Sequence, residues 1–182
     1  CPYSKKIFYP ELRSIKNLKK KKWNILCSHR KPAIFRPFRE NQKLNPTNPY
    51  GLSKEALENI SLRFGKIYRL PTTILRYSIV QGPRQSPYNH YSGALRIFVS
   101  QALLGVPITV YEDGEQTRDF INIRDVVRVN LLALKNSKAN FEIFNVGSAR
   151  AYPVLAFAKL VKKIARSPSK IIVGSFRSTD TR

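Results

Sequence analysis

From Asn45 onward the chain alternates short β-branched runs with amphipathic stripes, and that alternation limits its fold more than any other feature. Asn48 is placed to cap the orphan N–H groups at the start of a helix, and Pro49 suits the first helical position. Leu52, Ala56, Ile60, Phe64 and Ile67 then form a stripe with one three-residue step, which predicts a helix to about Lys66, with Gly65 near its end. Leu70 to Val80 is compact and β-branched, the pattern of a buried strand. The glycine and proline content of Gln81 to Pro87 marks a loop. A second stripe, Leu95, Phe98, Val99 and Ala102-Leu103, predicts a helix over 92–104 that stops at Gly105. Short strands are expected over 107–111 and 117–122, flanking the turn Glu112-Asp113-Gly114-Glu115, with a helix over 124–134 after them. Residues 141–146 read as a strand and 154–165 as a helix. Such alternation predicts an α/β protein whose strands run parallel and are joined by helical crossovers.

With 182 residues the chain is long enough for one domain with a real core. No apolar run approaches the roughly 20 residues of a membrane-spanning helix, so no membrane partner is expected. The net charge of +22 has two readings. One is a nucleic-acid partner, with Lys19-Lys20-Lys21-Lys22-Trp23 as its densest basic run. Against it, the sequence holds no helix-turn-helix pattern, no zinc-finger spacing and no aromatic ribonucleoprotein signature. The other reading is a solvated basic surface, with some arginines serving a phosphate-bearing small molecule. Nucleic acid is the less favoured partner.

Residues 1–44 differ from the rest: the first 45 positions hold thirteen basic and two acidic residues, with weak apolar periodicity. They are expected to form a basic insertion separate from the domain at 45–182. Cys1-Pro2-Tyr3-Ser4 and Cys27-Ser28-His29-Arg30 look like two copies of one knuckle. A closed tetrahedral zinc ribbon needs two ligands from each knuckle. Ser4 and Arg30 stand at the second positions, so Cys1, Cys27 and His29 are too few, and the expectation is a degenerate ribbon without metal. Two cysteines are also fewer than a disulfide scaffold usually has, so a reducing compartment, the cytoplasm, is expected. The sequence begins at Cys1 and contains no methionine, and the chain is expected to be a piece of a longer protein.

The chemistry-bearing motif is Tyr50-x-x-x-Lys54. Four apart on a helix, phenol and ammonium project from one face, and a nearby cation favours tyrosinate. A tyrosine so placed can act as a general acid and base. A phosphate cradle built from glycine is absent: the eight glycines are all isolated, and no G-x-G-x-x-G occurs.

Several blocks in order carry a resemblance: Asn48-Pro49-Tyr50-Gly51-Leu52-Ser53-Lys54, Leu75-Arg76-Tyr77 through Gly82-Pro83-Arg84-Gln85, Glu112 through Ile121, and Phe144-Asn145-Val146-Gly147. Over roughly residues 40 to 182 the chain resembles the second half of extended short-chain dehydrogenases, the NAD-dependent nucleotide-sugar epimerases and dehydratases. The resemblance implies a partial Rossmann-type parallel sheet with a small α/β substrate-binding subdomain. Cys1, Cys27 and Tyr9-Pro10-Glu11-Leu12-Arg13 resemble the remains of a cysteine insertion found in a subgroup similar to dTDP-L-rhamnose and UDP-glucose 4-epimerases. The implied catalytic pair is Tyr50, exchanging a proton with a sugar hydroxyl, and Lys54, holding the nicotinamide ribose. Tyr77 and Ser78 would lie where substrate and cofactor pass, at the strand end used by open α/β sheets. Arg118 and Arg177 would pair with the diphosphate, Thr109 and Tyr111 would lie along the base, and Arg84 and Asn89 near the sugar or phosphates. Each residue also has a plainer reading: Tyr77 as core, Arg84 as a solvated loop residue, Arg118-Asp119 as a surface pair, Asn145 as a turn residue, His90 as structural.

The sequence departs from the family in instructive places. The glycine fingerprint is missing, as is the Ser/Thr that bonds the reacting hydroxyl. Ile79 stands where Asn is common, and Thr179 where Gly is usual. The expectation is therefore a fragment of an NAD-dependent nucleotide-sugar 4-epimerase acting on a UDP- or dTDP-hexose, inactive alone, from a homodimeric parent. The alternatives are a 4,6-dehydratase or reductase fragment, or a basic nucleic-acid-binding module.

Overall fold

The computed structural model describes residues 1–10, 13–86 and 93–176. Asn89, His90 and Arg177, named above, lie outside the described residues. The elements are α1 (Ile15–Lys19), α2 (Pro49–Ile67), β1 (Ile74–Tyr77), β2 (Ile79–Gln81), α3 (Ala94–Leu103), β3 (Ile108–Tyr111), β4 (Thr117–Arg118), β5 (Phe120–Asn122), α4 (Ile123–Lys135), a short 3₁₀ turn (Ser137–Ala139), β6 (Ile143–Val146), β7 (Tyr152–Pro153), α5 (Val154–Ile164) and β8 (Ile171–Gly174). The strand pairs β1–β6, β2–β5 and β3–β8 are parallel, and β4–β7, two residues long, is antiparallel. The α/β class with parallel strands is therefore what the alternation predicts. Contacts divide the chain into two compact units: Cys1–Phe35 with Arg84–Asp119 and Arg150–Arg182, and Arg36–Pro83 with Phe120–Ala149.

In the first unit, Phe98 and Ala102 of α3, Ile108 and Val110 of β3, and Ala158 and Val161 of α5 form one buried cluster. Burying each large side chain contributes about 1.5–3 kcal/mol, so this layer of two helices on a parallel pair is held by its own apolar faces. Val99 and Leu103, read as part of the α3 stripe, are 40% and 72% exposed. The buried face of α3 follows Ala94, Leu95, Phe98 and Ala102, a narrower stripe than the sequence suggested.

The second unit has a smaller centre, Ile121, Val126 and Val146, with Leu75, Val80, Ile123 and Val129 packed against it. The stretch read as one buried strand over 70–80 is two strands here. Only Ser78 separates them, and its N–H donates to the Val146 carbonyl at 2.8 Å. The line changes neighbour at that point, from β6 to β5, so a continuous apolar pattern yields two ladders. Neither β1 nor β2 is fully buried. The stretch 117–122 divides likewise at Asp119, because Thr117–Arg118 pairs with β7 in the first unit while Phe120–Asn122 pairs with β2 in the second.

The helix α2 begins and ends close to expectation, but its stripe is not core. Leu52, Ile60, Phe64 and Ile67 are 53–73% exposed, whereas Gly65 is buried. A Cβ at Gly65 would collide with Thr72 Oγ1 and come within 2.9 Å of the Leu70 carbonyl, so only glycine lets the chain turn back so closely.

Candidate active site

At the start of α2 the Asn48 side chain accepts a hydrogen bond from the Gly51 N–H at 2.7 Å, and Pro49 occupies the first turn. This cap fixes where the helix begins, and with it the direction of the two side chains that follow. Lys54 Nζ lies 5.4 Å from the centroid of the Tyr50 ring, so ammonium and phenol share one face as the spacing requires. Tyr50 is 61% exposed.

What holds this helix to the strands behind it is a charged pair that the sequence reading missed. Arg76 Nε and Nη2 donate to the two carboxylate oxygens of Glu58 at 2.8 and 2.5 Å. Both side chains are mostly buried, at 22% and 13% exposed. The Glu58 hydrogen bond raises the Arg76 pKa further above its ordinary value, against the opposing effect of burial. Glu58 sits one turn beyond Lys54 on the same helix, so the fork-to-fork pair sets the rotation of the face that carries Tyr50 and Lys54. The signal in the sequence was faint: an acid four residues after Lys54, and an arginine in the Arg-Tyr dipeptide.

Tyr77 is not core. It is 43% exposed, and its hydroxyl donates to Asn130 Oδ1 of α4 at 3.0 Å. Ser78, half-buried, lies at the junction of β1 and β2. Asn145 does more than turn the chain: its N–H donates to Glu40 Oε1 at 3.0 Å and its Nδ2 to the Phe38 carbonyl at 3.1 Å. The Asn145 N–H, followed by Glu40's own N–H and the nearby Arg76 charge, holds the Glu40 carboxyl below its ordinary pKa. An open depression of about 580 Å³ in this unit is lined by Phe120, Asn122, Asp125, Phe144, Asn145 and Ser148 among others, and none of the site residues named from the sequence lines it.

Arg84, Thr109, Tyr111 and Arg118 belong to the first unit. Along β3, Ile108 and Val110 are buried while Thr109 and Tyr111 are half-buried on the opposite face, the alternation a pleated strand dictates. Gly174 of β8 lies beside them: a Cβ there would meet Thr109 Cγ2 at 3.0 Å and the Tyr111 ring at 3.2 Å. Arg118 on β4 is half-buried and donates to the Thr117 carbonyl at 2.8 Å, and Arg84 is exposed with φ +69°. A second missed pair stands next to this face. Arg13 Nη1 and Nη2 each donate to Glu112 at 2.7 Å, and the Glu112 side chain is fully buried. The pair spans 99 residues, and no local pattern announces it.

Within the first 35 residues, the Sγ atoms of Cys1 and Cys27 and a ring nitrogen of His29 lie within 4.8 Å of one another. Cys1, Cys27 and His29, too few by spacing for a closed ribbon, are brought together in the structure. No helix among the described residues is long and apolar enough to cross a membrane.

Parallel strand pairs linked through helices, with a capped helix presenting Tyr50 and Lys54 side by side, define a Rossmann-like α/β protein of the short-chain dehydrogenase type. The chain belongs to the NAD dependent epimerase/dehydratase family, whose model matches residues 28–147. It is 31% identical over 176 residues to dTDP-L-rhamnose 4-epimerase of Burkholderia thailandensis, covering 97% of this chain and 47% of the relative. Among solved structures it resembles UDP-glucose 4-epimerase of Thermotoga maritima with UDP-glucose, at TM-score 0.72 and 35% identity, over 79% of this chain and 48% of that one. It also resembles UDP-glucuronic acid 4-epimerase of Bacillus cereus in complex with UDP-glucuronic acid and NAD, at TM-score 0.70 and 30% identity, over 79% and 45%. The chain thus spans about half the length of these relatives.

Proposed function

We propose that this chain supplies the acid/base pair and the sugar-nucleotide side of a 4-epimerase acting on a UDP- or dTDP-linked hexose. The observation that carries the reading is the Tyr50–Lys54 pair, on one face of a helix whose start is fixed by Asn48 and whose rotation is fixed by Glu58 and Arg76. Tyr50 accepts the proton of the sugar hydroxyl and returns it to the same oxygen. Lys54 keeps positive charge beside the phenol while that proton is away, and presents a donor to a ribose hydroxyl. Tyr77 and Ser78 would add contacts to cofactor and substrate. On the substrate side, Thr109 and Tyr111 offer a face for the base, and Arg118, with Arg84, offers guanidinium charge for the diphosphate.

These residues fit the nicotinamide-ribose side of NAD: an exposed phenol and ammonium stand together. They do not make a pyrophosphate cradle, since no glycine-rich loop occurs in the sequence. When bound, NAD supplies reversible hydride acceptance at a sugar carbon.

Calorimetric titration of the purified chain with UDP-glucose and dTDP-rhamnose tests the reading. Saturable binding is expected, weakened about tenfold or more by Arg118→Ala, the loss of a charge-assisted contact. No epimerisation is expected from residues 1–182 with NAD⁺ alone. Binding unaffected by Arg118→Ala would overturn the substrate assignment. Turnover by the chain alone would overturn the view that its site is partial. Binding to RNA of any sequence that falls steeply with salt, with no sugar-nucleotide binding, would favour the basic-module alternative.

A further inference from the structure

We propose that Cys1, Cys27 and His29 form a zinc site that pins together the two turns of the first 33 residues, with His29 taking the place that the expected knuckle pattern leaves to Arg30. The ligand set lies within the first unit and is independent of the catalytic reading. Cys1 Sγ is 3.3 Å from His29 Nδ1, and all three ligand atoms lie within 4.8 Å of one another. With Zn–S bonds of about 2.3 Å, a tetrahedral site has edges of about 3.8 Å, so the atoms need only small adjustments to close on one ion. Two thiolates and an imidazole also form a donor set that prefers zinc over hard cations such as magnesium or calcium.

Each of the two sulfurs sits at the start of a tight backbone turn. Cys1 starts a tight turn: the Lys5 N–H donates to the Cys1 carbonyl at 3.0 Å, and the Ser4 N–H to Cys1 Sγ at 3.4 Å. Cys27 starts another, where the Arg30 N–H donates to the Cys27 carbonyl at 2.8 Å and the Cys27 N–H to the Lys31 carbonyl at 2.9 Å. The antiparallel bridge between Leu26 and Pro32 closes that turn into a small hairpin. Both turns place a residue without a glycine's freedom in the left-handed region, Lys5 at φ +53° and Arg30 at φ +55°. Such amide groups stabilise thiolate ligands, and the strained residues need something that holds the turns closed.

The site is ordered from both sides. Cys27 is buried, Cys1 is half-buried, and His29 is exposed with its ring 5.9 Å from that of Tyr3. Nδ1 of His29 also lies 3.3 Å from Ser28 Oγ, a contact the metal would replace. Ser4 and Arg30 add no fourth donor of the usual kind, so water completes the shell. Binding removes two thiol protons, one from each cysteine, and leaves the site electrically neutral with a neutral imidazole. In a chain with charge +22, converting two thiols to a neutral zinc dithiolate adds no positive charge to the surface. Metal bound by folded turns and not by the open chain acts as folding free energy.

Titration of the reduced, metal-free chain with Co²⁺ followed by Zn²⁺ tests the site. One Co²⁺ per chain is expected, giving thiolate-to-cobalt charge transfer and tetrahedral visible bands, with one equivalent of Zn²⁺ abolishing both and about two protons released per ion. Cys1→Ser and Cys27→Ser should each remove the charge-transfer band or cut it strongly. His29→Gln, at an exposed position that does not disturb the fold, should weaken affinity about tenfold or more, while Ser4→Ala leaves it unchanged. If Cys27→Ser does not fold, Cys1→Ser and His29→Gln carry the test. Absence of charge transfer at saturating Co²⁺, or binding undiminished in both Cys1→Ser and His29→Gln, would overturn the proposal.

Discussion

The two units treat the same kind of sequence signal in opposite ways. In the first, the apolar stripes of α3 and α5 meet β3 and disappear into a shared core. In the second, the 19-residue helix α2 carries the longest stripe in the chain and leaves it in solvent, while its half-buried contact is the Glu58–Arg76 pair. Periodicity marks the face a helix is suited to bury, but it says nothing of whether a matching surface lies within the same stretch of chain. The unit that carries Tyr50 and Lys54 is therefore held by a cap, a charged fork and a small centre, and the unit that carries Thr109 and Tyr111 by packed hydrocarbon.

Mutation can break that contrast. Phe98→Ala should cost about 3–5 kcal/mol, read as a loss of cooperative unfolding by Trp23 fluorescence, since the single tryptophan belongs to the same unit. Ile60→Ala, equally apolar in sequence but 63% exposed, should change stability by no more than about 0.5 kcal/mol. Equal effects at the two positions would erase the distinction.

Between these extremes lies Glu58→Ala, which leaves the Arg76 guanidinium half-buried without its fork. A cost of about 1.5–3 kcal/mol is expected, discounted from a fully buried pair because both groups keep some exposure. Hydrogen exchange should quicken along α2, and amides of α2 that exchange as in the unaltered chain would show the pair to be dispensable.

The smallest effect concerns Glu40. Its folded pKa is lowered, chiefly by the Asn145 N–H, so its stabilising contribution is complete above the ordinary carboxylate range, near 4.3, and is lost as pH falls through the lower folded value. Glu40→Gln should flatten the decline of stability in that acidic window by lowering stability slightly at neutral pH, with the two proteins converging at low pH. A decline of equal slope in both proteins would remove Glu40 from the account.

Much of the fold was legible because it is written locally. Asn48 and Pro49 predicted the start of α2, and Gly105 the end of α3, from chemistry that involves neighbours only. The splits at Ser78 and Asp119 were not legible, because no local signal marks either break, which is a choice of partner strand. The strand β8, a clear Ile171-Ile172-Val173 run, had a local signal that was passed over. For the candidate site, Tyr50 and Lys54 followed from spacing, whereas Arg76–Glu58 and Arg13–Glu112 pair residues 18 and 99 apart in sequence. The cysteine turns fell between these cases. The two knuckles were visible, but the third ligand stands one place off the expected pattern, at His29 instead of Arg30.

The Arg13–Glu112 fork ties the first 35 residues to the end of β3. By joining positions 13 and 112 it closes a loop that contains the whole Arg36–Pro83 segment. The entropy of closing a flexible loop rises only logarithmically, about 0.6 kcal/mol for each doubling of its length. The knot in this chain is therefore nearly indifferent to how many residues pass between its ends. Residues inserted at an exposed turn inside the loop should change the cost of closing it little, while the segment around Arg13 stays tied to the end of the strand that bears Thr109 and Tyr111.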